Sequence, residues 1–136
     1  MHLATKTKRT PLEISKQVLD AAFRIHSHFG PGLLESVYEA CLAKELRDAG
    51  LRVETQVPVP VVFNGVKLEV GYRIDILVED CVLVEVKSVE AIAPVHHAQT
   101  LSYLKLRGLS LGLLINFNVV HLKDGIKRFV IGTEWK

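Results

Sequence analysis

Asp75, Glu85 and Lys87 stand where charge is expensive. Asp75 interrupts the apolar run of residues 73–78, and Glu85 and Lys87 interrupt the run of residues 82–87. A strand covered on both faces normally reads as unbroken Val, Ile and Leu. Ionisable groups set into it cost stability unless they are paired or hold a metal. Two carboxylates are oxygen ligands that suit Mg²⁺ or Mn²⁺ rather than a structural zinc. Mg²⁺ keeps several waters, and a bound water is a candidate nucleophile against a phosphodiester. Lys87 shares a strand face with Glu85 and could orient that water or neutralise phosphate charge. The carbonyl of Val86 between them is a further candidate oxygen ligand. The bland alternative is a pair of cross-strand ion pairs on a solvated face, Asp75 with Arg73 and Glu85 with Lys87, because structural pairs imitate sites. Leu77 and Leu83, on the same face, speak for a covering layer instead.

Register brings the two acids together. Residues 53–63 alternate apolar with polar or proline, Asn64-Gly65 is a strong hairpin turn, and residues 66–78 alternate again. Pro58 and Pro60 lack ladder donors, so the first strand is expected to be an edge or to bulge there. Val66, Leu68, Val70, Tyr72, Ile74, Ile76 and Val78 are assigned to one face. If Glu79-Asp80-Cys81 form a three-residue loop, Val78 meets Val82 and Ile76 meets Val84 on one apolar face. Asp75 then lies opposite Glu85, with Cβ atoms about 4.5–5.5 Å apart. A two-residue loop would set Asp75 against Val84, which the apolar pattern rejects.

Helices flank these strands. Thr10-Pro11-Leu12-Glu13 carries an N-cap, a first-turn proline and a capping-box glutamate, and Gly30-Pro31-Gly32 ends the helix, with Gly30 expected as a left-handed cap. A second helix spans residues 33–49, with Leu34, Val37, Tyr38, Cys41, Leu42, Leu46 and Ala49 as its apolar face. At about 100° per residue Glu35 falls on that face, Glu39 at its edge, and Glu45 also projects into it. A third helix spans residues 95–107, with Val95, Ala98, Leu101 and Leu104 as its packing stripe and His96, Gln99 and Tyr103 on a neighbouring face. Residues 111–117 read as a buried strand, and residues 119–122 and 126–131 as a closing hairpin. His96 and His97 diverge by about 100° on their helix and, even with His121, make a poor chelate.

The chain has 136 residues, 49% of them hydrophobic and 24% charged, which suits one globular domain. Residues 1–9, with Lys6, Lys8 and Arg9, read as a mobile basic arm and residues 10–136 as a single domain. The net charge of +2 permits a nucleic-acid partner without arguing for one. Cys41 and Cys81 form no paired or metal-binding spacing and, without a signal peptide, read as reduced thiols in the cytoplasm. The most apolar run, residues 109–117, is too short to cross a membrane.

Asp75 followed by Glu85-Val86-Lys87 resembles the D…(D/E)-x-K signature of the PD-(D/E)XK nuclease superfamily, with Ile74 in the place of the signature proline. Gly32-Leu33-Leu34-Glu35-Ser36-Val37-Tyr38 is similar to the G-x-x-E-x-x-Y motif of the GxxExxY family, a small bacterial and archaeal group within it. The resemblance covers residues 12–131 and includes the Gln99-to-Tyr103 Q-x-x-x-Y helix. It implies a restriction-endonuclease-like α/β (α+β) core, a central mixed sheet flanked by helices in the order α-α-β-β-β-α-β-β. It further implies a Mg²⁺- or Mn²⁺-dependent nuclease acting on nucleic acid, DNA before RNA. Asp75 and Glu85 would be metal ligands, Glu35 the helix-borne acid near the metal, and Lys87 the catalytic lysine. Gln99 and Tyr103 resemble the element that orients the site or the nucleic acid in nuclease domains attached to bacterial recombination helicases. So small a domain leaves specificity to a homodimer or a partner protein. The competing reading is a nucleic-acid- or protein-binding module that keeps the fold without useful catalysis.

Overall fold

A computed structural model of the chain describes residues 9–136. Most of the expected basic arm lies outside the described residues; Arg9, its last member, hydrogen-bonds Gln17 at 3.0 Å. Helix α1 (Pro11–Phe29) opens with the expected capping box, Thr10 and Glu13 each accepting from the other's backbone N–H. Helix α2 (Glu35–Asp48) follows, then strands β1 (Val53–Pro58), β2 (Val61–Phe63), β3 (Val66–Leu68), β4 (Arg73–Val78) and β5 (Val82–Lys87). Helix α3 (Pro94–Arg107) leads to β6 (Leu111–Asn116), a short 3₁₀ turn (Leu122–Gly125) and β7 (Ile126–Val130).

The main sheet has the order β1-β4-β5-β6-β7 and is mixed: β5 and β6 run parallel, joined through α3, and every other pair is antiparallel. With the β2–β3 ribbon set aside, the chain order is the α-α-β-β-β-α-β-β expected. Helices α1 and α2 cover one face, where Val18, Ala22, Tyr38, Leu42 and Leu46 pack on Ile76, Val84, Leu113 and Ile115. Helix α3 covers the other, with Tyr103 and Leu104 against Ile74, Leu77 and Leu83. Every residue of β6 is buried, as a central strand between two layers requires. Among the described residues no helix is long and apolar enough to cross a membrane.

The structure departs from the simple alternating pattern in several places. The long hairpin is broken: residues 69–72 leave the ladder, so β2 and β3 form a separate ribbon, and Val66, Leu68, Val70 and Tyr72 are exposed rather than continuous with Ile74 and Ile76. Residues 119–122 are not a strand; β7 pairs with β6 and the Lys123-Asp124-Gly125 turn is 3₁₀. The buried faces of α2 and α3 are rotated from the expected ones. Leu34 is 73% and Val95 66% exposed, whereas Ala43 is buried beside the expected Tyr38, Leu42 and Leu46, and Thr100 and Tyr103 are buried beside the expected Leu104. The cap at Gly30 has positive φ but extended ψ, so it is not the left-handed turn expected.

Candidate active site

The site begins with a failure of the β ladder. Strands β4 and β5 pair as the three-residue loop requires, Val78 with Val82, Leu77 with Leu83 and Ile76 with Val84. Pairing stops there, so Asp75 and Glu85 are not ladder partners as expected. Their side chains replace the missing ladder bonds. The Asp75 N–H donates to Glu85 Oε2 at 2.9 Å, and the Val86 N–H donates to Asp75 Oδ2 at 2.8 Å. Each carboxylate is thus pinned to the opposite strand, and the two acids are brought together by a route that register alone does not give.

The electrostatics are costly. Glu85 is only 4% exposed. Burial first, and the Asp75 charge second, push its carboxyl up to about 8, against the opposing pull of the Asp75 N–H and Lys87. Asp75 is raised in the same direction, by burial above all, with the Val86 N–H and Lys87 acting against it. The ion pairs of the bland reading do not form. The three salt bridges among the described residues are Arg24–Glu45, Lys44–Asp48 and Arg107–Asp80, and none touches Asp75, Glu85 or Lys87. The first of them also gives Glu45 a partner away from the carboxylates.

Glu35 is presented by a turn that the sequence builds with some care. Gly32 has φ +106, a conformation L side chains rarely adopt, so glycine is needed there. Tyr38 is fully buried and stacks on Phe117 with ring centroids 4.4 Å apart. Its hydroxyl donates to the Gly30 carbonyl at 2.6 Å and accepts from the Leu33 N–H at 3.2 Å. The turn between α1 and α2 is thereby fixed, and Glu35 begins α2 at the end of β5. There the Ser88 N–H donates to Glu35 Oε2 at 3.3 Å and the Ser88 hydroxyl to the Leu33 carbonyl at 2.6 Å. An open pocket of about 540 Å³ lies beside this junction, lined by Gly32, Leu34, Glu35, Ser88 and Asn118 among others. A larger one of about 830 Å³ sits at the far end of the β4–β5 hairpin, by Glu79 and Cys81, away from the carboxylates.

The remaining expected residues lie on β5 and α3. Lys87 is half-buried at the end of β5, on the α3 side of the sheet with Glu85 by strand alternation. Gln99 Nε2 donates to the Tyr103 hydroxyl at 3.0 Å. The Tyr103 hydroxyl is raised by burial and then by the Glu85 charge. His96 caps its own helix, accepting from the Ala93 N–H, and His97 meets the Phe129 ring edge-on.

Three further contributors are not among the expected site residues, although Glu39 is expected at the edge of the α2 face. Glu39 is half-buried and accepts from Gln56 Nε2 at 3.0 and 3.1 Å; burial, Asp75 and Glu35 raise its carboxyl while Gln56 lowers it. Gln56 also reaches Asp75 Oδ1 at 3.4 Å. Helical spacing from Glu35 was a usable signal for Glu39; nothing local marked Gln56. Asn116 is buried and accepts from the Val89 N–H while donating to the Val89 carbonyl, at 3.1 and 2.9 Å. It fixes the chain between β5 and α3.

Among the described residues no three His, Cys, Asp or Glu side chains form a group that could hold a metal ion. A half-buried carboxylate and a buried one, neither in a salt bridge among the described residues, still fit an oxygen-seeking divalent ion that keeps much of its water. Glu85 Oε1 supports this fit: no donor among the described residues hydrogen-bonds it, although the side chain is buried. Such an atom needs a partner.

A family model described as the PD-(D/E)XK nuclease superfamily matches residues 12–129 of the chain. No curated protein and no solved structure gives a match.

Proposed function

Because the chain belongs to the PD-(D/E)XK nuclease superfamily, we propose that it is a divalent-metal-dependent nuclease that hydrolyses phosphodiester bonds of nucleic acid, DNA before RNA. Within the superfamily we assign it to the GxxExxY group, on the Gly32, Glu35 and Tyr38 turn. The observation that carries the reading is the Asp75–Glu85 pair, a half-buried and a buried acid bonded to each other's strands, neither of them in a salt bridge among the described residues.

Asp75 and Glu85 would hold Mg²⁺ or Mn²⁺, with the Val86 carbonyl as a further oxygen and Glu35 close by. Such an ion supplies positive charge to a phosphate and lowers the pKa of bound water. Lys87 holds a non-bridging phosphate oxygen and offsets the negative charge that builds there during attack. Gln99 and Tyr103, bonded to each other on α3, orient the nucleic acid against the carboxylates. The protein works in the cytoplasm, where Cys41 and Cys81 stay reduced, with a second copy or a partner protein supplying specificity.

One observation favours a second reading, a binding module on the same fold. Backbone amides already satisfy one oxygen of each acid, and among the described residues no third acid completes a cage. Calorimetric titration with Mn²⁺ separates the two. Under the nuclease reading the wild type binds Mn²⁺, and Asp75→Asn, which can still accept the Val86 N–H, folds but loses the binding. A wild type that gives no heat of binding contradicts it.

A further inference from the structure

Asp75, a candidate metal ligand, faces a strand that holds a candidate for orienting its carboxylate. β1 and β4 pair on both sides of one position, Thr55 with Ile76 and Val57 with Ile74, and miss the Gln56–Asp75 pair between them. Gln56 has φ +53, the left-handed region that L residues avoid, inside what is otherwise a strand. Both strands change faces at this level. Val53 and Ile76 belong to the core beneath α1 and α2, whereas Val57 and Ile74 belong to the core beneath α3. The strain is local and sits directly across from a candidate metal ligand, where such strain tends to be functional.

The side chain gives the strain a purpose. Gln56 Nε2 lies 3.0 and 3.1 Å from the two oxygens of Glu39 and 3.4 Å from Asp75 Oδ1. All three neighbours are carboxylate oxygens, so the NH₂ end must face them. It carries two hydrogens, enough for one shared between the Glu39 oxygens and one directed at Asp75. Asp75 Oδ2 is already held by the Val86 N–H at 2.8 Å. Its carboxylate is therefore gripped from both neighbouring strands, by a backbone amide on β5 and a side-chain amide on β1. Glu39 in turn fixes the amide from α2.

Resting on the proposed metal site, we infer that Gln56 is a positioning residue. It couples Glu39 to Asp75 and sets the orientation in which Asp75 meets a divalent cation. The left-handed backbone at Gln56 turns the side chain toward the acids, and the chain Glu39–Gln56–Asp75 forms an outer shell to the ligand. Losing an outer-shell partner of this kind typically weakens metal affinity about 10–100-fold.

The test is calorimetric titration of Mn²⁺ into wild type, Gln56→Gly, Glu39→Ala and the double variant, with thermal midpoints measured in parallel. Glycine adopts the left-handed φ without strain, so Gln56→Gly keeps or raises the midpoint. It should nonetheless bind Mn²⁺ about 10-fold or more weakly. Glu39→Ala should weaken binding in the same direction, and the double variant should lose less than the two single losses combined, as coupled residues do. A folded Gln56→Gly with wild-type Mn²⁺ affinity overturns the inference and leaves the nuclease reading standing. Absence of Mn²⁺ binding by the wild type itself overturns both.

Discussion

At the residue scale the energetics centre on Glu85. A carboxyl held near 8 in the folded protein and near 4.5 when unfolded keeps a proton on folding that the unfolded chain gives up. Below pH 4.5 both states are protonated and the group contributes no slope. Between about 4.5 and 8 the folded state binds more protons, so metal-free stability falls as pH rises, by at most about 1.4 kcal/mol per pH unit. Asp75 is shifted in the same direction and deepens the fall. We predict that thermal midpoints of the metal-free protein decline from pH 5 to pH 8. Glu85→Gln, which still accepts the Asp75 N–H but carries no charge, should flatten most of that decline and melt above wild type at pH 8. A wild-type midpoint that rises across this range would contradict the assignment. The wish for a partner at these charges was legible from residue type alone. That Glu85 would receive the Asp75 backbone rather than face the Asp75 side chain was not, because the register argument assumes an unbroken ladder.

At the scale of elements, the sequence carried the number and order of the main pieces and missed how some of them turn. Thr10 to Glu13 marked the start of α1 through local capping chemistry, and the valine pattern of 76–84 fixed the β4–β5 register. The faces of α2 and α3 were misjudged for a common reason. Each helix has two adjacent stripes with apolar content, and tertiary partners decide between them. On α2 the expected Tyr38, Leu42 and Leu46 are buried, but Leu34 and Val37 are exposed and Ala43 packs inward in their place, so Glu35 stays exposed while Glu39 is half-buried. Tyr103 turns inward with its hydroxyl bonded to Gln99. The break between β3 and β4 was invisible because alternation continues through residues 69–72 while the chain leaves the sheet. The link between β5 and α3 depends on Asn116. Removing its side chain leaves both Val89 backbone groups without that partner. Asn116→Ala should cost about 2–3 kcal/mol in urea unfolding and weaken nucleic-acid cleavage through displacement of α3. A cost below about 0.5 kcal/mol would show that solvent replaces the clamp.

At the scale of the whole molecule, two helices on one face and one on the other leave the carboxylates near the C-terminal end of β5, beside its parallel neighbour β6. The layers explain why charge in these strands is costly: Leu77 and Leu83 beside it are as buried as any core residue. They also leave the β2–β3 ribbon, with Phe63 and Leu68 exposed, outside both cores. A net charge of +2 gives the whole surface little pull on a polyanion. The proposed activity is the cutting of phosphodiester bonds by Asp75, Glu85 and Lys87 together. Its most direct test is cleavage of single- and double-stranded DNA and RNA with Mg²⁺ or Mn²⁺, by wild type and by Lys87→Ala prepared identically. We predict metal-dependent cleavage of at least one DNA form by the wild type, lost on chelation and reduced about 100-fold or more in a folded Lys87→Ala. No cleavage of any form by the wild type, or equal cleavage by Lys87→Ala, would contradict the account.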